Sequence, residues 1–173
     1  MKKSITPHEL IVFSMLSALM VIGKIVFEPL PNLHPLAALV VIYTIVYRKK
    51  ALIPIYVYVL IQGVMLGFSP WWVPYLYVWT VLWGITMLLP KNMPTAVEII
   101  VYPILTALHG ILFGVLYAPV YAVLFKLDFN GMIAWVMAGI PFDITHAAGN
   151  FAAGFLVLPI TKVLRKLENR RPL

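Results

Sequence analysis

Pro141-Phe142-Asp143-Ile144-Thr145-His146-Ala147-Ala148-Gly149-Asn150 stands at the head of the last long apolar run of the chain, and its reading decides the fold. On a helix, Asp143, His146 and Asn150 fall at i, i+3 and i+7 and share one face. In water such a face is ordinary. In a bilayer a mid-helix Asp alone costs about 2.5–3.5 kcal/mol, and residues of this kind turn to a bundle interior or a wet cavity. The first question is therefore which solvent surrounds this helix.

Composition answers for the membrane. The chain has 173 residues, 62% hydrophobic and 11% charged, whereas soluble domains carry roughly 25% charged residues. A transmembrane helix needs about 20 predominantly apolar residues, so about six spans fill the chain and leave short loops. The expected fold is an all-α integral membrane protein. It is one domain over 1–173, a bundle of six transmembrane helices over about 7–27, 35–47, 51–68, 71–89, 96–125 and 139–163.

The charge pattern orients the bundle. The net charge is +7, and of the thirteen basic residues all except Lys24 and Lys126 fall at every second junction between apolar runs. These are Lys2 and Lys3, then Arg48, Lys49 and Lys50, then Lys91, then Lys162, Arg165, Lys166, Arg170 and Arg171. Cytoplasmic loops carry such an excess, so both termini are expected in the cytoplasm, and the positive charge reports topology rather than nucleic acid. Cysteine is absent, which removes thiol catalysis, disulfides and thiolate metal sites. No small-residue cleavage site follows the first apolar run, so it reads as a retained span rather than a signal peptide.

Outward from the quoted stretch, other polar and small residues interrupt the apolar runs. Thr6 is a helix cap ahead of Pro7 and Glu9. Ser14 and Ala18 form a small-xxx-small pair, suited to close helix packing within the bundle or to an outside partner. Glu28 to Pro35 holds Asn32, His34 and three prolines, a rigid outer connection that lines a site mouth or only joins two helices. Gln62 lies in the outer half of the third run. Trp72, Tyr75 and Trp79 are spaced i, i+3, i+7, either interface anchors or flat walls for a planar ligand. The fifth run, interrupted by Pro103 and Pro119, carries His109 and the packing signal Gly110 and Gly114. Segment 132–140 reads as a short outer helix, and Gly139-Ile140-Pro141 as a break into the final span.

Catalytic readings lack parts. His146 and Asn150 have the HxxxN spacing of intramembrane glutamic proteases, but the paired glutamates are missing and Glu98 stands alone. There is no Gly-x-Ser-x-Gly turn and no phosphate-binding Gly-rich loop. Asp143, His146 and His109 are possible metal ligands in kind, without a spacing that makes a site. Binding fits better: Asp143 accepts from a donor-rich ring edge, while His146 and Asn150 both donate and accept. No enzyme activity, cofactor or metal is expected.

The chain resembles the substrate-binding S components of energy-coupling factor (ECF) transporters. The resemblance lies in the run pattern, the Ser14/Ala18 pair and three blocks: Pro31-Asn32-Leu33-His34-Pro35, Gly67 to Pro74 ahead of Trp79, and Phe142 to Asn150. It implies capture of a vitamin-like micronutrient at the outer face of a bacterial plasma membrane. A planar nitrogen heterocycle is favoured, such as a cobamide precursor or a queuosine-type base. Asp143, His146, Asn150, Trp72, Tyr75, Trp79, Gln62, Glu28, Asn32, His34 and His109 would bind it. Ser14 and Ala18 would dock a transmembrane coupling subunit with two cytoplasmic ATPases, although the family's pair is more usually alanine at both positions. The alternatives are a stand-alone proton-coupled transporter using Asp143 and His146 as a relay, an intramembrane hydrolase, and a protein whose polar face only joins helices.

Overall fold

The computed structural model describes residues 5–30 and 32–169. Pro31 of the outer connection, and Lys2, Lys3, Arg170 and Arg171 of the charge pattern, lie outside the described residues. All regular structure among the described residues is helical: α1 (Pro7–Val26), α2 (Leu36–Tyr47), a 3-10 turn (Arg48–Ala51), α3 (Leu52–Leu66), α4 (Tyr75–Leu88), α5 (Thr95–Ile111), α6 (Phe113–Leu124), α7 (Phe129–Gly154) and α8 (Val157–Asn169).

The ends of these helices follow local chemistry. Thr6 and Glu9 form the reciprocal capping box of α1, with Pro7 in its first turn. Asp128 caps α7 by accepting from the Gly131 amide at 2.7 Å. The described residues of the proline-rich connection form no helix, and Asn32 takes a left-handed φ of 60° there, a conformation asparagine tolerates better than most residues.

Helix α2 is the axis. Leu36 through Thr44 are all buried, and α4, α5, α7 and α8 pack around it. Helices α5 and α7 meet at glycines. A Cβ on Gly110 would lie 2.7 Å from the Ala147 Cα, so only glycine permits this approach. Gly114 faces Asp143 in the same way, and Gly154 faces Pro103. Both glycines of the predicted packing signal are therefore used against α7.

Polarity in α7 is inverted. Its buried residues are Asp143, His146, Asn150 and Gly154, while Ile133, Met137, Phe142, Ile144 and Phe151 are exposed. A helix in water buries its apolar stripe; one in lipid does the reverse. Helix α1 likewise exposes Leu10, Ile11, Met15, Leu19 and Ile22. By length and composition α1 and the Thr95–Leu124 stretch (α5 with α6) can cross a membrane, and so can α7 with α8 taken as one span bent by 47°. Helices α2, α3 and α4 have 12, 15 and 14 residues, fewer than the roughly 20 of a full span. The apolar helices are compatible with a membrane protein, two or three of them being long and apolar enough to span.

Two predicted breaks fall elsewhere. Segment 132–140 is not a separate helix: α7 runs unbroken through Pro141, and the bend comes after Gly154. The fifth run passes through Pro103 and Pro119 and breaks at Leu112 instead. In apolar surroundings a wholly opened helix leaves too many backbone groups unpaired, so a proline is absorbed locally. At Leu112 the freed Gly114 amide is met by a side chain from α7, which makes that break affordable.

Candidate functional site

Three polar residues of α7 leave its buried face, and they meet different surroundings. Asp143 accepts from the Gly114 amide at 3.1 Å. Gly114 is the second residue of α6, so Asp143 caps that helix from a neighbour, supplying the partner that an orphan first-turn amide needs. A Cβ at Gly114 would run into the carboxylate. This carboxylate is engaged in holding two helices together.

One turn further, the His146 ring lies against His34 (centroids 4.9 Å apart, 76° between planes) and Phe113 (4.7 Å, 69°). Its Nε2 is buried with no hydrogen-bond partner. Asn150 is fully buried, and neither Oδ1 nor Nδ2 of its side chain has a partner. Its main-chain oxygen accepts from Thr106 at 2.8 Å, which fixes the backbone and leaves the amide group free to orient.

The same condition extends across the centre. His109 contacts the Val78 carbonyl through Nε2 at 3.2 Å, while Nδ1 is unpaired. The His109 ring lies 5.5 Å from Trp79 at 30°, and the Trp79 Nε1 is unpaired too. His34 Nδ1 completes the set, while the Tyr58 hydroxyl is within reach of the Tyr75 hydroxyl. Rings link these groups in series: His34, His146, Phe113, His109, Trp79, then Tyr75 and Tyr58. An unpaired buried polar atom costs about 1–3 kcal/mol, so several in one place call for a partner the chain does not provide. His34, outside the helices, is held neutral: burial, with the Lys24 charge adding to it, lowers its pKa to about 4.

Other predicted residues fall differently. Tyr75 and Trp79 join the network, 5.5 Å apart. Trp72 does not: its indole N–H donates to the Val59 carbonyl at 2.8 Å and its ring lies on Phe68, tying the segment before α4 to α3. Gln62 is buried in α3 and Glu28 is exposed at the start of the connection. Asn32 is half-buried at its left-handed turn. A cavity of about 370 Å³ opens beside His34, lined otherwise by apolar residues including Phe27, Leu33 and Gly149. Ser14 and Ala18 are exposed on α1, while Ser17 is buried and donates to the Pro54 carbonyl at 3.1 Å. Among the described residues no three His, Asp or Glu side chains converge to hold a metal ion.

Phe113 and Tyr117 were not among the predicted contacts. They stack at 4.7 Å and 30°. Their spacing from His109, i+4 and i+8, is a helical face readable beforehand.

Fold and centre together define an all-helical protein with apolar outer helices and a polar, aromatic interior. No family model, no curated protein and no solved structure matches the chain.

Proposed function

We propose that the protein is the substrate-capture (S) subunit of an ECF-type importer in a bacterial plasma membrane. In this reading it forms a six-span bundle with both termini inside, and it binds a planar nitrogen heterocycle of the cobamide-precursor or queuosine-base type. The observation that carries the reading is the set of unpaired buried polar atoms on His34, His109, His146, Trp79 and Asn150, set among aromatic rings. A flat ring with nitrogen and oxygen along its edge would supply partners for those atoms among the aromatic rings. Such a site discriminates strongly, because a ligand lacking one edge group leaves a buried partner unmatched. Trp72 and Asp143 act here as supports rather than contacts. The exposed Ser14 and Ala18 face of α1 is offered to the coupling subunit, whose two ATPases supply the energy.

The test is purification in neutral detergent followed by mass spectrometry of the extracted small molecules. A heterocycle should co-purify. With that compound in hand, His146→Ala and Asn150→Ala should each weaken binding by about a hundredfold, with little change in melting temperature. Wild-type affinity in both variants would refute the site. Uptake by cells lacking any coupling ATPase would replace the ECF reading with a stand-alone transporter.

A further inference from the structure

A second polar region lies apart from the histidine cluster, where the inner ends of four helices meet. A cavity of about 340 Å³ is bounded by Ile45 and Val46 of α2, Thr86 of α4, the 89–93 turn, Tyr102 of α5 and Arg165 of α8. Arg48 and Lys91 also line it, which gives the wall three cations from three separate segments. Among the described residues no carboxylate lines it. Glu98 accepts from the Tyr102 hydroxyl at 2.9 Å, and Glu168 accepts from the Tyr47 hydroxyl at 3.0 Å.

Arg48 is placed with unusual care. Its φ is 53° with ψ −120°, a sparsely populated positive-φ conformation that costs a non-glycine residue about 1–3 kcal/mol. Two hydrogen bonds hold it there: Trp83 Nε1 donates to its carbonyl at 3.0 Å, and its own Nη2 donates to the Met87 carbonyl at 2.9 Å. One of five guanidinium N–H groups is thus used for anchoring, and the remainder face other directions from a fixed base. A glycine would relieve the backbone but would remove the charge from the wall.

We infer that this cavity is a binding site for a phosphate-bearing anion, held by Arg48, Lys91 and Arg165, with Asn92 as an additional donor. Its volume falls within the roughly 300–1,000 Å³ of small-molecule sites. Guanidinium groups match phosphate oxygens in bidentate geometry, and a lysine adds a point charge. The apolar wall of Ile45, Val46, Leu89 and Met93 accommodates an attached chain. The anion is therefore either a lipid headgroup or a free phosphate. The site stands independently of the proposed heterocycle.

The experiment uses the full chain in lipid nanodiscs and in neutral detergent. Native mass spectrometry follows retention of phosphatidylglycerol against phosphatidylcholine, and a parallel titration uses inorganic phosphate. Lys91→Gln combined with Arg165→Gln leaves the anchored Arg48 in place, and its melting temperature is recorded alongside. Preferential retention of phosphatidylglycerol, reduced by about tenfold or more in the double variant, assigns the site to a headgroup. Phosphate binding with the same variant dependence and no lipid preference assigns it to a free phosphate. Equal retention of both lipids without phosphate binding, or binding indifferent to the double variant in a protein that melts normally, overturns the inference.

Discussion

The two halves of one helix face behave oppositely. At Asp143, α7 presents a carboxylate whose Oδ1 accepts from the Gly114 amide. Less than two turns on, His146 and Asn150 present an imidazole nitrogen and a whole amide group that nothing in the chain takes. All three are buried, on the same helix, at helical spacing. Burial and periodicity therefore do not separate support from recognition. Accounting for each donor and acceptor does. An atom paired within the fold has less to offer a ligand, and one left unpaired in a packed interior is a cost the fold carries for another reason.

The strongest way to break this contrast is at Gly110, beneath the unspent half. A methyl there would meet the Ala147 Cα at 2.7 Å and its N at 2.8 Å, and would reach within 3.0 Å of Asn150 Nδ2. Backbone atoms cannot rotate away, so α5 and α7 must separate. Gly110→Ala should destabilise the protein by about 2–3 kcal/mol, read as a lowered midpoint of thermal unfolding in detergent. Gly84 has nothing within 4 Å of its Cβ position, and Gly84→Ala is the control that should melt no lower than wild type.

Next in size is Asp143. Its removal strands a helix-start amide away from water, which costs about 1–2 kcal/mol. Asp143→Ala should lower the unfolding midpoint, while Asp143→Asn, which keeps an acceptor oxygen, should recover most of it. An Asp143→Ala protein that melts like wild type but no longer captures its heterocycle would return Asp143 to the recognition half and dissolve the contrast.

Much of this arrangement was legible in residue order. The Thr6 cap, the opposition of Gly110 and Gly114 to another helix, and the shared face of Asp143, His146 and Asn150 all follow from spacing and local chemistry. The division of that face did not. It depends on the break at Leu112, which no glycine or proline marks at that position, and whose freed amide is met only after α6 and α7 pack. Proline was the misleading signal, because Pro103, Pro119 and Pro141 are all absorbed within helices. Trp72 shares helical spacing with Tyr75 and Trp79, yet it precedes α4 and its indole donates to the Val59 carbonyl of α3, a tie that spacing does not show. The outward apolar faces were legible in composition, whereas helix lengths of 12 to 15 residues at α2, α3 and α4 fall below what six full spans require.

The smallest expected effect concerns charge rather than shape. His34 lies against His146 in the unspent half, and burial, aided by the Lys24 charge, lowers its pKa from 6.5 to about 4. Because the folded value is the lower one, the unfolded chain takes up its proton first as pH falls. Stability from this group is complete above pH 6.5 and declines as pH drops toward 4, by about 1 kcal/mol at pH 5.5. Unfolding midpoints measured at pH 7.5 and 5.5 should therefore differ more in wild type than in His34→Gln, which has no proton to gain. An equal pH response in the two proteins would mean that His34 is hydrated in solution, and that the unpaired groups beside it already have water for a partner.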